Sequence, residues 1–263
     1  MDSGIQSGNE EKLMVHSLAM LVVVMGWGIL CGVIPARAHA VDLQCGSPFV
    51  NAVGPWDYRT ARAEDKQMVE KFHYSTPIVL LINGDKKALA WIMGDFNYTL
   101  RAFPNHPGAL WAVDRVGAKL QTESPPGGRW PIECYYVRAL AFASNDGMVY
   151  LAYGQYLIRH RRISEAREKI DLAAKYLTER SEWTTNAQYN IGLAYFDLGK
   201  FELAQTYAEL AAEGGFSLPG LKAKLQRSGH WIARKTVKTE VSPPDGSTRS
   251  VEPRSAALPS RDP

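Results

Sequence analysis

The sequence predicts an all-α fold, a solenoid of helical hairpins preceded by an irregular N-terminal strap. Two windows, MVYLAYGQYLIRHRRISEAREKIDLAAKYL and QYNIGLAYFDLGKFELAQTYAELAA, align when Gly154 is placed over Gly192, an offset of 38 positions. At that offset Tyr153 falls over Ile191, Ala166 over Ala204 and Ala173 over Ala211. A two-helix unit repeated at this period cannot bury its apolar face alone and stacks on its neighbours. By contrast CGSPFVNAVGPWDYR, residues 45–59, follows neither the helix period nor the strand period.

The elements follow in order. From about Leu13 to Ile34 the chain is almost continuously apolar, and PARAHA then supplies an A-x-A pattern at Ala38 and Ala40. Cleavage after Ala40 would release a chain starting at Val41, so residues 1–40 read as a signal peptide or, uncleaved, as a membrane anchor. The first twelve residues carry three acids and one lysine where a signal peptide wants positive charge, an anomaly that a start at Met14 would remove. In both readings the body is exported, with a periplasmic location expected and an inner-membrane tether if the segment is retained. Neither Cys31 nor Cys45 follows the apolar-small-small triplet of a lipidated cysteine.

Residues 41–75 hold the strap and a first helix near Ala63 to Phe72. The next stretch, HYSTPIVLLINGDKK, can be read as extended with a turn at Asn83-Gly84. The helical reading is preferred, because Thr76-Pro77 can start a helix at Ile78. MGDFNYTLRAFPNHPGALWAVDRVGAKL reads as a degenerate helix-turn-helix, with Leu100 and Phe103 in the first helix and Ala109 at the small position of the second. Beyond the breaker ESPPGGRWP, IECYYVRALAF makes another helix, with Ile132, Tyr135 or Tyr136, Leu140 and Phe142 as core candidates. The clear repeats cover about 147–180 and 185–214, and a short helix from about Pro219 to Arg227 caps them. The helical domain therefore runs over 76–234. The tail, 235–263, is rich in Pro, Ser and charge and poor in apolar residues, so disorder is expected there.

Composition excludes some functions. A net charge of +3 with no long Lys/Arg run gives no footprint for nucleic acid. There is no G-x-S-x-G, H-E-x-x-H, P-loop, Rossmann fingerprint or C-x-x-C. His73, His106, His160 and His230 lie in separate segments, so they read as surface or cap residues and no metal or cofactor is expected. Asp57, Asp85, Asp95 and Asp146 sit beside turn residues and are expected to accept backbone hydrogen bonds there. Removal of Cys31 with a signal peptide leaves Cys45 and Cys134, an even pair in an oxidising compartment, which favours a disulfide over free thiols or a nucleophile.

The second repeat resembles the tetratricopeptide repeat, with Ile191 and Gly192 in its first helix, Tyr195, Gly199 and Phe201 around the turn, and Ala204 and Ala211 in its second. The first repeat departs from that pattern at Leu157, where a tyrosine is usual, and in its turn RHRRIS, which lacks the usual glycine. CGSPFVNAVGPWDYR, GDFNYTLRAFPNHPGAL, ECYYVRALAF, NIGLAYFDLGKFELAQTYAELA and GFSLPGLKAKLQRSGHW, taken together, resemble a group of small exported proteobacterial tetratricopeptide-repeat proteins of no established activity. Members are sometimes labelled transporter permeases, a label at odds with a chain of at most one apolar span. The resemblance implies a concave face that docks a protein or peptide, without catalysis. On that face Gln155, Arg159, Tyr189, Asn190, Leu193, Phe196 and Asp197 are the expected contacts. The alternatives are an enzyme with a site near Trp56, Asp57 and His73, or a membrane-tethered accessory subunit of an envelope complex.

Overall fold

The computed structural model describes residues 44–177, 182–216 and 218–233. The expected N-terminal signal or anchor, Cys31 and the expected disordered tail lie outside them. Among the described residues every regular element is a helix: α1 (Ala63–His73), α2 (Thr76–Leu80) with a 3-10 turn (Leu81–Asn83), α3 (Lys86–Ala102), α4 (Pro107–Leu120), α5 (Ile132–Phe142), α6 (Gly147–Arg159), α7 (Ile163–Tyr176), α8 (Glu182–Asp197), α9 (Phe201–Glu213) and α10 (Gly220–Arg227). The preferred helical reading of 76–102 holds, interrupted at the Asn83-Gly84 turn. Among the described residues no helix is long and apolar enough to cross a membrane.

Local chemistry sets the helix starts. The Asp85 carboxylate accepts the Ala88 N–H at 2.8 Å, and Asp146 accepts those of Met148 at 3.0 Å and Val149 at 3.4 Å. Both aspartates are thus N-caps, filling donors that the first turn leaves open. Asp95 departs from its expected turn role, because α3 runs through it. Pro107 occupies the first position of α4, where its missing N–H costs nothing. Pro219 lies one residue before α10 and serves as its N-cap residue. Phe103, expected inside a helix, is the C-cap residue of α3.

The two windows that align in sequence each form a pair of helices. α6 and α8 end at Arg159 and Asp197, and α7 and α9 start at Ile163 and Phe201. Connections this short force each pair back on itself as a hairpin. Ala166, Ile170 and Ala173 are buried along α7, and Ala204, Ala208 and Ala211 along α9. Both triplets follow the i, i+4, i+7 spacing of a single helix stripe. Gly154 allows the close approach, since a Cβ there would stand 2.5 Å from Ile170 Cδ1. Leu157 and Tyr195 fill equivalent core positions, so the departure from the repeat pattern changes the filling and not the packing.

The turn without a glycine is strained. Arg161 takes φ +58°, the left-handed conformation that Gly199 takes at +69° in the aligned turn. A side chain there costs about 1–2 kcal/mol, offset in part by the entropy glycine loses on folding. Arg161→Gly is therefore expected to raise stability by roughly 0.5–1 kcal/mol. Urea denaturation checks this, and an unchanged midpoint would show that the exposed Arg161 side chain compensates.

The helices stack in order. α3 packs on α4, α4 on α5 and α6, α6 on α7 and α8, and α8 on α9 and α10. α4, α6 and α8 therefore form one row, and α10 closes it. A continuous core runs from Ile78 through Tyr136 and Ile191 to Leu225. The strap is held at two points. A disulfide joins Cys45 to Cys134 in α5. Further on, Val53, Trp56 and Tyr58 pack with Val69, Ala102 and Phe103 in a second, smaller cluster. The Gly54-Pro55 peptide is cis, and a Cβ on Gly54 would stand 2.5 Å from the Ala102 carbonyl oxygen. No side chain but hydrogen fits there.

Candidate partner-binding face

The α4–α6–α8 row carries the polar residues that the helical pattern leaves facing outward between elements. On α4, Asp114, Gly117 and Ala118 follow the spacing of one stripe, and Gln121 follows as the C-cap residue. Asp114 is 4% exposed, and a buried carboxylate needs a partner. Arg159, at the end of α6, supplies it as an ion pair across the two helices. Gln121 takes φ +54° and ends α4, turning the chain so that Thr122 donates its N–H to Gly117 at 3.1 Å. Glu123 then reaches α6, where its carboxylate accepts the Tyr156 hydroxyl at 2.7 Å and lies 3.4 Å from His160 Nε2. Burial first, and Glu123 second, push the Tyr156 hydroxyl up, so it stays a donor.

These residues enclose a cavity of about 250 Å³, lined by Asp114, Gln121, Glu123, Ile132, Arg159 and His160. Small-molecule and cofactor pockets occupy roughly 300–1,000 Å³. This one takes a single side chain. Its rim offers donors from Arg159 and Gln121 and an acceptor in Glu123. Among the described residues no group of three His, Cys, Asp or Glu is placed to hold a metal ion.

The expected contact residues divide. Arg159 lies on the cavity, and Gln155, half-buried, sits one turn before it on α6. Asn190 is half-buried on α8 and donates to the Asn186 carbonyl and side-chain oxygens at 2.9 and 2.6 Å. Leu193 packs against the core. Tyr189, Phe196 and Asp197 contact α10. The Tyr189 hydroxyl accepts the Leu221 N–H at 3.0 Å, Lys224 lies 4.7 Å over the Phe196 ring, and the same lysine pairs with Asp197 at 3.2 Å. The capping helix follows α9 and takes the next place in the row, covering that end of α8. Asp114, Glu123 and His160 were not legible as site residues, because their partners stand far away in the chain. The only sequence signal was an aspartate in the apolar register of α4, between Val113 and Val116.

Trp56, Asp57 and His73 each have partners of their own. Trp56 packs on Phe103, with ring centres 5.4 Å apart. Asp57 accepts from Arg59 and from Asn105 Nδ2, and these contacts hold its carboxyl down at about 2, with Arg59 the larger cause. His73 stacks on Tyr98 at 3.9 Å and contacts Asp95 at 2.8 Å. An open cleft of about 670 Å³ beside α1 is lined by Lys66, Glu70, Lys71 and Tyr74, and by neither Asp57 nor His73.

Behind that cleft lies a polar relay. His106 caps α4 by accepting the Ala109 N–H on Nδ1 at 3.0 Å, so its proton is on Nε2 and donates to Glu70 at 3.2 Å. The Tyr58 hydroxyl donates to the same Glu70 oxygen at 2.7 Å. Burial pushes the His106 imidazole below its ordinary 6.5, against the weaker pull of Glu70. The His106 N–H holds the Glu70 carboxyl below 4.5. Both folded values are depressed, so acid protonates the unfolded chain first and both groups lose stability as pH falls. The His106 contribution goes below about pH 6.5 and that of Glu70 below about 4.5. The urea midpoint is expected to drop between pH 7 and 5, and His106→Asn, which keeps a capping acceptor, is expected to flatten that drop. A slope unchanged by the substitution would assign it to other groups.

Comparison with protein-family models, curated proteins and solved structures finds no match to this chain.

Proposed function

We propose that this chain is an exported, non-catalytic scaffold of tetratricopeptide-like hairpins that docks a protein or peptide on its α4–α6–α8 row. The cavity between α4 and α6 carries this reading. It is the size of one side chain, and donors and acceptors fixed by cross-helix contacts rim it. Such a pocket anchors one residue of an extended partner, while the adjoining row supplies Gln155 and Asn190 for its backbone. The resemblance of the sequence to exported repeat proteins of the periplasm supports the same reading, with an inner-membrane tether where the N-terminal segment is retained.

Site-specific photo-crosslinking in the native envelope tests it. A crosslinker at Gln121 or Gln155 is expected to capture one discrete partner, with none captured from Glu168 on the exposed side of α7. Arg159→Ala is expected to remove the adduct and, because it leaves the buried Asp114 carboxylate without its partner, to lower the thermal unfolding temperature as well, whereas Gln121→Ala, which keeps that ion pair, is expected to weaken the adduct with the unfolding temperature nearly unchanged. Equal capture from Glu168, or adducts indifferent to Arg159, would sink the proposal.

A further inference from the structure

The strap lies against a group of arginines whose charge the described residues leave unanswered. Arg138, on α5, is 3% exposed. Its Nη1 donates to the carbonyl oxygens of Cys45 and Gly46 at 3.0 Å and of Ser47 at 2.8 Å. Its guanidinium sits 3.8 Å from the ring centre of Trp130, and the Arg129 guanidinium sits 5.1 Å from the same ring. Arg101, on α3, reaches the strap as well, donating from Nη1 to Asn51 Oδ1 at 3.3 Å. Its guanidinium lies 5.3 Å from the Tyr98 ring.

One feature, a buried Nε, separates Arg101 and Arg138 from the other described arginines, and a second, the lack of a carboxylate partner, they share with Arg129 and with Arg115, Arg161, Arg167 and Arg227. Arg59, Arg62, Arg159 and Arg162 are each paired with a carboxylate. Among the described residues Arg101, Arg129 and Arg138 have no carboxylate partner. In addition, the Nε atoms of both Arg101 and Arg138 are buried without an acceptor. Burial pulls the Arg138 guanidinium down to about 10, and repulsion from Arg129 and Arg101 adds to it, with Tyr135 acting the other way. A fold that desolvates donors on two like-charged groups and aligns a third beside them is arranged for an anion supplied from outside. Guanidinium forks match the geometry of a tetrahedral oxyanion, and several cations favour one that carries more than a single charge.

We propose that Arg101, Arg129 and Arg138, beside Trp130, form a binding site for an oxyanion of the phosphate class. The ligand is either free phosphate or the phosphate of a lipid headgroup. Phe49 and Val50 on the same strap are 59% and 78% exposed, which makes the headgroup a chemically consistent source.

The test uses the full-length, disulfide-bonded protein. Inorganic phosphate is titrated against chloride at constant ionic strength, read by tryptophan fluorescence and by thermal unfolding. Vesicles of phosphatidylglycerol are compared with vesicles of phosphatidylcholine by co-sedimentation. The expected result is a saturable fluorescence change and an upward thermal shift with phosphate, or sedimentation with phosphatidylglycerol alone. The first outcome assigns a free anion and the second a headgroup. Arg129→Gln and Arg101→Gln are each expected to weaken binding about tenfold or more. Both spare the Arg138 contacts that hold the strap. Trp130→Phe is expected to remove the fluorescence signal without removing the thermal shift. Arg115→Gln, an arginine over Trp111 outside the group, is expected to change nothing. Responses to phosphate and chloride that are alike, with no preference between the vesicles, would overturn the site, as would binding that survives both arginine substitutions.

Discussion

Reducing the Cys45–Cys134 disulfide is expected to lower the unfolding free energy by about 4–5 kcal/mol. The bridge spans a sequence separation of 89, and closing a loop that long removes much of the freedom of the unfolded chain. The strap has little else near its start. Beyond the bridge it is held there by the three carbonyl contacts to Arg138 and by Phe49 against Phe142, at 5.6 Å. Its later part is independently anchored through Trp56, Tyr58 and Asn105, the last donating to Asp57 at 2.7 Å and to Asp146 at 2.8 Å. Reduction should therefore destabilise the whole unit while leaving residues 53–61 protected. Urea unfolding with and without dithiothreitol measures the loss, and hydrogen exchange locates it. The Cys45→Ser, Cys134→Ser double variant should match the reduced protein and ignore the reductant. Equal midpoints in oxidised and reduced protein would mean that the two thiols are not joined. Both cysteines are nearly inaccessible, at 6% and 1% exposure, so reduction needs prior denaturation or long incubation.

Tyr136→Ala is expected to cost about 3–5 kcal/mol, a large share of the roughly 5–15 kcal/mol that holds a domain folded. Tyr136 is completely buried on α5. Its ring lies 5.2 Å from those of Tyr153 and Tyr156, parallel to the first within 6°, and its hydroxyl donates to the Leu110 carbonyl at 3.1 Å. One side chain thus joins α4, α5 and α6. Truncation to alanine leaves a cavity where three helices meet, and the rigid stack around it cannot collapse to fill the space. Tyr136→Phe removes only the hydroxyl and is expected to cost about 1 kcal/mol. Thermal or urea unfolding of the two variants separates packing from hydrogen bonding. Similar losses in both would mean that the hydroxyl contact dominates.

Much of this fold was legible because its signals are local. Proline at helix starts, aspartates ahead of apolar runs and small residues at i, i+4, i+7 spacing act within a turn or two. Apolar periodicity alone could not choose between Tyr135 and Tyr136. Both prove buried, because the loop before α5 folds back so that the Arg129 N–H donates to the Tyr135 hydroxyl at 3.1 Å. Phe142, expected in the core, is only half-buried, since its cover is the exposed Phe49 of the strap. Arg161 hid a left-handed turn because its type argues against one. The candidate site was far less readable. Gln155 and Arg159 were within reach of a helix-face argument, whereas the use of Tyr189, Phe196 and Asp197 by α10 depends on where a helix more than twenty residues onward comes to rest.

By itself the sequence determined the all-helical class, the two hairpins at matching offset and the strap as the segment without a period. Each of these follows from contacts between residues close in the chain or from composition. Only the tertiary structure decided that Asp114 meets Arg159, that His106 and Tyr58 share one oxygen of Glu70, and that three arginines gather around the strap without a carboxylate. Those arrangements join residues 12 to 93 positions apart. Their pairing is set by how helices stack, because a charge removed from water must take whatever partner the packing brings to it.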